Sequence, residues 1–388
     1  MRVIGLISGT SHDGIDAVLV DFESQGEVLT AKVVDQVGRK YSSDLRAAIL
    51  AALPPNQTTI EEVCRLDTLI GQEFASLAKD LVEKNGPVDL VSSHGQTMYH
   101  LVEGKEVLGT LQLGQPAWIA AASKAAVLSD LRIQDIVSGG QGAPVVPILD
   151  LLTLSAEPGI VGSLNLGGIA NITVVANGKV LSAFDTGPAS ALIDAVVVKH
   201  GLNPKGYDES GEIAASGTIS QQLLTALLAD DYYKLPAPKS TGKELFHIRY
   251  LDAVIEGLDL KITPQDLVAT VTELTAQTVA DALLANNVEK LVAAGGGVAN
   301  RTMISSIELK TGLSVKKFAE YGIDGDYKEA LAMALIGWLS VNNIPATLEE
   351  TTGATPPPVL GRLTPGPRGY WLPAAGANKP TKLVISNV

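Results

Sequence analysis

Val3-Ile4-Gly5-Leu6-Ile7, Ser8-Gly9-Thr10-Ser11-His12-Asp13-Gly14 and Ile15-Asp16-Ala17-Val18-Leu19-Val20 open the chain as two apolar runs around a glycine-punctuated turn. The runs read as a strand and its return strand. Gly9 and Gly14 let the backbone take φ > 0 or come close to an anion. Ser8, Thr10 and Ser11 add hydroxyl donors, and consecutive N–H groups form an anion-binding concavity. An ordinary hairpin with a seven-residue turn fits the same residues, so the first motif alone leaves both readings open. The pattern returns as Ser163-Leu164-Asn165-Leu166-Gly167-Gly168-Ile169-Ala170-Asn171-Ile172-Thr173. Each copy stands near the start of one half of the chain and opens a run of strands followed by helices. This predicts two related domains facing each other across a ligand cleft.

At 388 residues the chain exceeds one comfortable core, and two domains of roughly 150–200 residues are expected. β-Branched runs alternating with helical patterns indicate an α/β architecture. The expected strands are Arg2–Ile7, Gly14–Phe22, Val88–Ser93, Ala126–Ser129, Gly162–Leu166, Ala170–Val175, Val180–Phe184 and Lys290–Ala294. Long helices are expected over Thr59–Asn85, Pro188–His200, Pro264–Asn286 and Asp326–Asn342, the last three opening on Pro or Asp as helix starts often do. After the turn Ser138-Gly139-Gly140-Gln141-Gly142-Ala143-Pro144 a boundary falls near Pro144–Asp150. The first domain is thus expected over 1–148, rejoined by a returning segment of about 370–388 that carries Tyr370-Trp371-Leu372 and Leu383–Ile385; the second is expected over 149–369.

The charge balance, 29 basic against 42 acidic residues and −13 net, argues against nucleic acid as a partner, since phosphates demand a basic surface. A small anion such as a nucleotide is still admitted, because local N–H groups outweigh the global field. Cys64, the single cysteine, forms no intrachain disulfide and joins no zinc cluster; sharing a helical face with Ile60, it reads as a buried structural thiol. The first residues carry no signal-peptide core, and no stretch reaches the roughly 18 apolar residues that span a bilayer. A soluble cytoplasmic protein without a membrane partner is expected. Neither G-x-x-x-x-G-K-[ST] nor a complete G-x-G-x-x-G occurs, and five scattered histidines make a histidine-rich metal site improbable.

What remains is a set of loops at strand ends. Gly295-Gly296-Gly297-Val298-Ala299-Asn300 follows an apolar run and precedes a helix, which suits a ring or phosphate lying on backbone or a close packing turn. Phe184-Asp185-Thr186-Gly187-Pro188-Ala189 ends a strand before a helix; Asp185 there is either an N-cap or a general base facing a cleft. Ser93-His94-Gly95-Gln96-Thr97 offers hydrogen bonds to a polyhydroxyl ligand, with a satisfied loop histidine as the plain alternative. Lys239-Ser240-Thr241-Gly242-Lys243-Glu244 reads as a polar, solvated loop. Lys328-Glu329-Ala330-Leu331-Ala332-Met333-Ala334 starts a helix whose small residues require a close neighbour, with Glu329 either in a salt bridge or in a site.

Gly9–Asp16, Ser93–Thr97, Gln141-Gly142-Ala143-Pro144, Asn165–Asn171, Asp185-Thr186-Gly187-Pro188, Gly295–Asn300 and Lys328–Ala332 together resemble the anhydro-N-acetylmuramic acid kinases, in that family's order over essentially the whole chain. The resemblance implies two actin-like (ribonuclease H-like) ATPase domains with an interdomain nucleotide and sugar cleft. It implies that ATP and Mg²⁺ are used with water to open the 1,6-anhydro ring of the sugar and phosphorylate O6 in peptidoglycan recycling. By resemblance, Gly9, Thr10, Ser11, His12, Asp13, Gly14, Ile15 and Asp16 form the first phosphate hairpin; Asn165, Gly167, Gly168 and Asn171 form the second. Gly295, Gly296, Gly297 and Asn300 lie beneath the adenosine, Asp185 is the catalytic aspartate, and His94, Gln96 and Glu329 are expected to touch the sugar. No metal ligand is assigned. A homodimer is implied. His12 departs from the apolar residue expected there. A kinase for a simpler anhydrosugar such as levoglucosan, and an actin-like or chaperone-like ATPase, are the alternatives.

Overall fold

A computed structural model of the chain describes residues 1–9, 11–104, 106–237, 239–242, 245–369 and 376–387. Thr10, Lys243, Glu244 and Tyr370-Trp371-Leu372 lie outside the described residues. The chain divides into two compact units, Met1–Ser155 with Tyr327–Val388, and Ala156–Asp326.

The first unit begins with β1 (Arg2–Ser8), β2 (Gly14–Gln25), β3 (Val28–Lys40), β4 (Leu90–Glu103), β5 (Glu106–Leu113) and β6 (Ala126–Ser129). The second holds β7 (Ile160–Leu166), β8 (Ile169–Ala176), β9 (Lys179–Pro188), β10 (Lys290–Ala294) and β11 (Val315–Lys317). The chain then returns to the first sheet with β12 (Arg362–Thr364) and β13 (Lys382–Asn387). Strand order makes the duplication explicit. In the first unit β3-β2-β1-β4-β6 has β1 antiparallel to β2, β2 antiparallel to β3, and β1, β4 and β6 parallel. In the second, β9-β8-β7-β10-β11 repeats every one of those relations. Two copies of one mixed α/β sheet are the actin-like arrangement, and each glycine turn noted in the sequence joins the first two strands of its copy.

Close backbone approach explains much of the glycine and alanine content. A Cβ on Gly5 of β1 would come within 2.1 Å of Ala330 O, because the Lys328–Val341 helix lies directly on that strand. Gly337 of the same helix meets Ser92 of β4 in the same way. That helix is apolar on all sides and is buried throughout except at Glu329, as a core helix is. It assigns Tyr327 onward to the first unit. The expectation that the chain rejoins the first domain only near residue 370 is therefore corrected: the helix's small residues fit against β1 and β4.

Three further expectations change. Pro188 does not start a helix; it is the last residue of β9, an edge strand, where a missing N–H costs no ladder bond. The helix begins at Ser190. Cys64 is exposed, not buried. The Ile60–Asn85 helix buries Leu66, Ile70, Gly71, Phe74, Ala75, Leu77, Ala78 and Leu81, and Ile60, whose face Cys64 shares, is 85% exposed. Finally, Pro264–Ala285 is long and apolar enough to cross a bilayer by length and composition, but 72% of its apolar window is buried inside the protein. It is the core helix of the second unit, contacting β8, β9 and the Ser190–His200 and Arg301–Thr311 helices.

At the edge of the first unit Arg2 clamps Asp21 through both carboxylate oxygens at 2.8 Å. The Arg2 hydrogen bond, with its charge, holds the Asp21 carboxyl below the usual aspartate range against a desolvation cost. A depressed folded pKa gives stability that is present above the ordinary range and lost as pH falls through the folded value. Asp21→Asn is therefore less stable than wild type near neutrality, and urea midpoints at about pH 7 and about pH 3 should show that gap narrowing in acid.

Candidate active site

In the first unit the β1–β2 turn is braced from β4. Ser8 Oγ lies 2.5 Å from Gly14 O and 2.7 Å from Gln96 Oε1, while Gln96 Nε2 donates to Gly9 O at 3.1 Å. Gln96 is fully buried, so it shapes the turn from behind. His12 takes a left-handed φ of 53° and donates its N–H to Gly9 O; Arg46 Nε donates to its carbonyl at 3.2 Å. Ser11 Oγ donates to Asp13. The two glycines differ. Gly14 is required by packing, since a Cβ would lie 2.4 Å from Arg39 O on β3. At Gly9 the space is open: among the described residues only Glu329 Oε2 and Ser11 Oγ lie at 4.0 Å from where a Cβ would stand. Ile15 is a core residue, and Asp16 is half-buried opposite Gly38.

Glu329 thus stands beside that turn, the one exposed residue of a buried helix. Although it reaches solvent, the protein around it raises its carboxyl pKa, with Arg132 and Lys328 pulling the other way. Lys328 is pinned by a buried ion pair, Nζ to Asp150 Oδ1 at 2.6 Å, with both side chains 4% exposed. Arg132 Nε donates to His94 Nε2 at 2.7 Å, and His94 Nδ1 lies 3.0 Å from Gly95 O. Burial, then the Arg132 charge, lowers the His94 pKa to about 3. The same loop region is held by fully buried Asp135, which accepts from Gly142 N and Thr352 Oγ1, both at 2.8 Å.

In the second unit the sheet register lines up the polar residues. Asn165 of β7 is paired with Asn171 of β8, and Asn171 with Asp185 of β9. Directly opposed residues share a face, so the three half-buried side chains form one row. The row continues to the glycine turn after β10. Ala294 pairs with Asn165, and a Cβ on Gly295 (φ +88°) would sit 2.9 Å from Asn165 Oδ1. Gly295 and Gly297 are fixed by close approach to Leu166, whereas Gly296 faces open space. The Gly167 and Gly168 carbonyls accept the first N–H groups of the Ser190–His200 helix. Asn300 is buried and its Oδ1 caps the Arg301–Thr311 helix, accepting from Met303 N at 3.0 Å.

Asp185 has no capping role. It lies within β9, and Ala189, at the cap of the following helix, makes no side-chain cap bond. A bulge at Thr186 displaces the register just beyond it, which re-aims a side chain as bulges near sites do. Its Oδ2 accepts from Thr241 N at 2.9 Å, its N–H donates to Lys239 O, and its carbonyl accepts from Tyr232 OH at 2.6 Å. The described part of the Lys239 loop is therefore fastened to Asp185 rather than merely solvated. Lys239 Nζ bonds the Tyr232 and Tyr233 carbonyls and stands over the Tyr232 ring. Burial, reinforced by the Asp185 charge, pushes the Tyr232 phenol pKa well up, so it remains a donor.

The family model for anhydro-N-acetylmuramic acid kinase matches residues 1–366. This chain belongs to that family. It is 47% identical over 388 residues to an anhydro-N-acetylmuramic acid kinase of Streptomyces coelicolor, covering 99% of each chain. It is 46% identical over 379 residues to one of Rhodococcus erythropolis, covering 95% of each. Among solved structures, an activator of 2-hydroxyisocaproyl-CoA dehydratase from Clostridium difficile with bound ADPNP aligns over 86% of this chain and 93% of its own, at 13% identity and a TM-score of 0.43. That likeness adds nothing to the assignment.

As a member of the anhydro-N-acetylmuramic acid kinase family the chain holds site neighbours that sequence reading missed. Arg132 had one signal, a lone cation shortly after the Ala126–Ser129 strand and before the Gly-rich turn. Tyr232 and the Thr241 N–H had none, since only the tertiary fold carries them to Asp185.

Proposed function

We propose that this chain is an ATP-dependent kinase that opens the 1,6-anhydro bridge of 1,6-anhydro-N-acetylmuramic acid with water and phosphorylates O6, giving N-acetylmuramic acid 6-phosphate and ADP in cell-wall recycling. It is a phosphotransferase with an alcohol group as acceptor. The observation that carries the catalytic assignment is Asp185 held mid-strand, free of any capping duty, in line with Asn171, Asn165 and the Gly295 turn.

Asp185 acts as general base. It takes a proton from water as the water oxygen bonds to C1; the C1–O bridge bond breaks, and the bridge oxygen, now O6, bonds to the γ-phosphorus as ADP leaves. The Thr241 N–H and the register of β9 fix the carboxylate for that role. In the first unit we assign phosphate contacts to the open backbone at Gly9 and to the turn residues Ser11, His12 and Asp13; in the second we assign phosphate contact to Gly167 and adenosine contact to Gly296, whose Cβ position is unobstructed. Gly14, Ile15, Asp16, Gly168, Gly295, Gly297 and Asn300 shape those turns, with Asn165 and Asn171 as polar contacts. Glu329 is assigned to the sugar, and Gln96 supports the turn beside it. Among the described residues no group of three or more His, Cys, Asp or Glu forms a metal cluster. Asp13 and Asp16 are the carboxylates of the first turn that would hold Mg²⁺ together with the nucleotide phosphates, and the bound ion would neutralise charge at the transferring group. A homodimer is part of the proposal, supported by exposed apolar residues Tyr99, Val102, Leu108, Leu111 and Trp118 on β4, β5 and the adjoining helix; light scattering on the purified chain checks it.

The function is tested by ADP release with 1,6-anhydro-N-acetylmuramic acid, with levoglucosan and with no sugar. Release with the muramic sugar alone, with a 6-phosphate product, is the expected result. Preference for levoglucosan would move the substrate to a simpler anhydrosugar, and equal turnover in the blank would make the chain a sugar-independent ATPase.

A further inference from the structure

His94 uses both ring nitrogens inside the protein. Arginine donates only, so the 2.7 Å contact from Arg132 Nε makes His94 Nε2 an acceptor without a proton. Nδ1 then carries the proton and donates to Gly95 O at 3.0 Å. The ring is 3% exposed, and neither nitrogen is left for a sugar hydroxyl or a proton in flight. Arg132 is in the opposite condition. One of its five N–H groups is taken by His94, and among the described residues no carboxylate makes a salt bridge with it, though the charge of Glu329 is felt there. Arg132 is half-buried as a residue and stands at the start of the Ile133–Val137 helix, in the same unit as Glu329 and the Gly9 turn.

We propose that His94 is a positioning residue that works through Arg132: as a neutral acceptor it fixes the guanidinium, whose terminal N–H groups bind oxygen atoms of the anhydrosugar. The inference rests on the kinase reading above and replaces direct sugar contact by His94. A neutral acceptor suits this task better than a carboxylate. It orients the guanidinium without cancelling its charge, so the cation stays available to an oxygen-rich, anionic ligand.

Steady-state kinetics of His94→Gln, His94→Leu, Arg132→Lys and the double variants test it, with thermal melts run alongside. Glutamine offers an amide oxygen to Arg132; leucine offers none. His94→Leu is expected to raise the KM for 1,6-anhydro-N-acetylmuramic acid about 10-fold or more, with the KM for ATP changing less than about 2-fold. His94→Gln is expected to recover most of that loss. Arg132→Lys, lacking Nε, should cost about as much as His94→Leu, and the pair together little more than either, since both remove one interaction. Additive losses, or His94→Gln as impaired as His94→Leu at equal melting temperature, overturn the proposal. Should His94→Leu fail to fold, His94→Ala, which also offers no acceptor, takes its place in the cycle with Arg132→Lys, and His94→Gln remains the rescue. Wild-type turnover is the internal control: its absence defeats the kinase reading, whereas intact turnover with additive variants defeats only the role of His94.

Discussion

Asp185→Asn lowers kcat by about 10²–10⁴-fold while leaving nucleotide affinity near that of wild type. The substitution keeps shape and the acceptor for Thr241 N but removes the basic oxygen that takes the proton of water. The row Asn165–Asn171–Asp185 stays in register, because the β7–β8–β9 ladder is made of backbone bonds that the side chain does not enter. ADP formation under saturating sugar and ATP, read beside nucleotide titration by calorimetry, separates the two effects. A variant retaining more than about a tenth of wild-type turnover removes Asp185 from the role of base.

Asp150→Ala destabilises the first unit by about 3–5 kcal/mol, because it takes the Asp150 carboxylate away from the buried Lys328 ammonium. The pair is shielded from solvent on both sides, so this cost is not reduced by screening as it would be on the surface. Lys328→Met combined with Asp150→Leu removes both charges and should restore most of the loss. Denaturant midpoints for the three proteins measure this, and equal midpoints for wild type and Asp150→Ala would show that the pair contributes nothing. Lys328 immediately precedes Glu329 and anchors the first turn of their helix. The double variant, stable but with Glu329 less firmly placed, is therefore expected to lose more in sugar KM than in stability.

Local signals supply most of the residues proposed for the candidate site. Glycines at strand ends, a carboxylate in Asp185-Thr186-Gly187-Pro188 and a Glu at the head of a small-residue helix are visible without a fold, because each follows from what a strand end or helix start tolerates. The sheets beyond the first hairpins were less legible. β3, with alternating burial, and the short β11 and β12 lack long apolar runs; they exist because a neighbouring strand offers a ladder. Pro188 suits a helix start as well as an edge strand by local preference, and only the pairing with Ile169 separates the two.

By itself, then, the sequence determined the α/β class, the doubled strand–turn–strand unit and the family, and it singled out the aspartate proposed as base. Periodicity and glycine placement are properties of neighbouring residues. The tertiary structure decided where the chain returns to its first unit, which glycines are demanded by packing and which leave backbone open, and what surrounds each polar group. Gly14 against Arg39, Arg132 on His94, Lys328 on Asp150 and Tyr232 on Asp185 are contacts between residues 25 to 178 positions apart. Such contacts arise from packing and desolvation across the fold, and no local pattern encodes them.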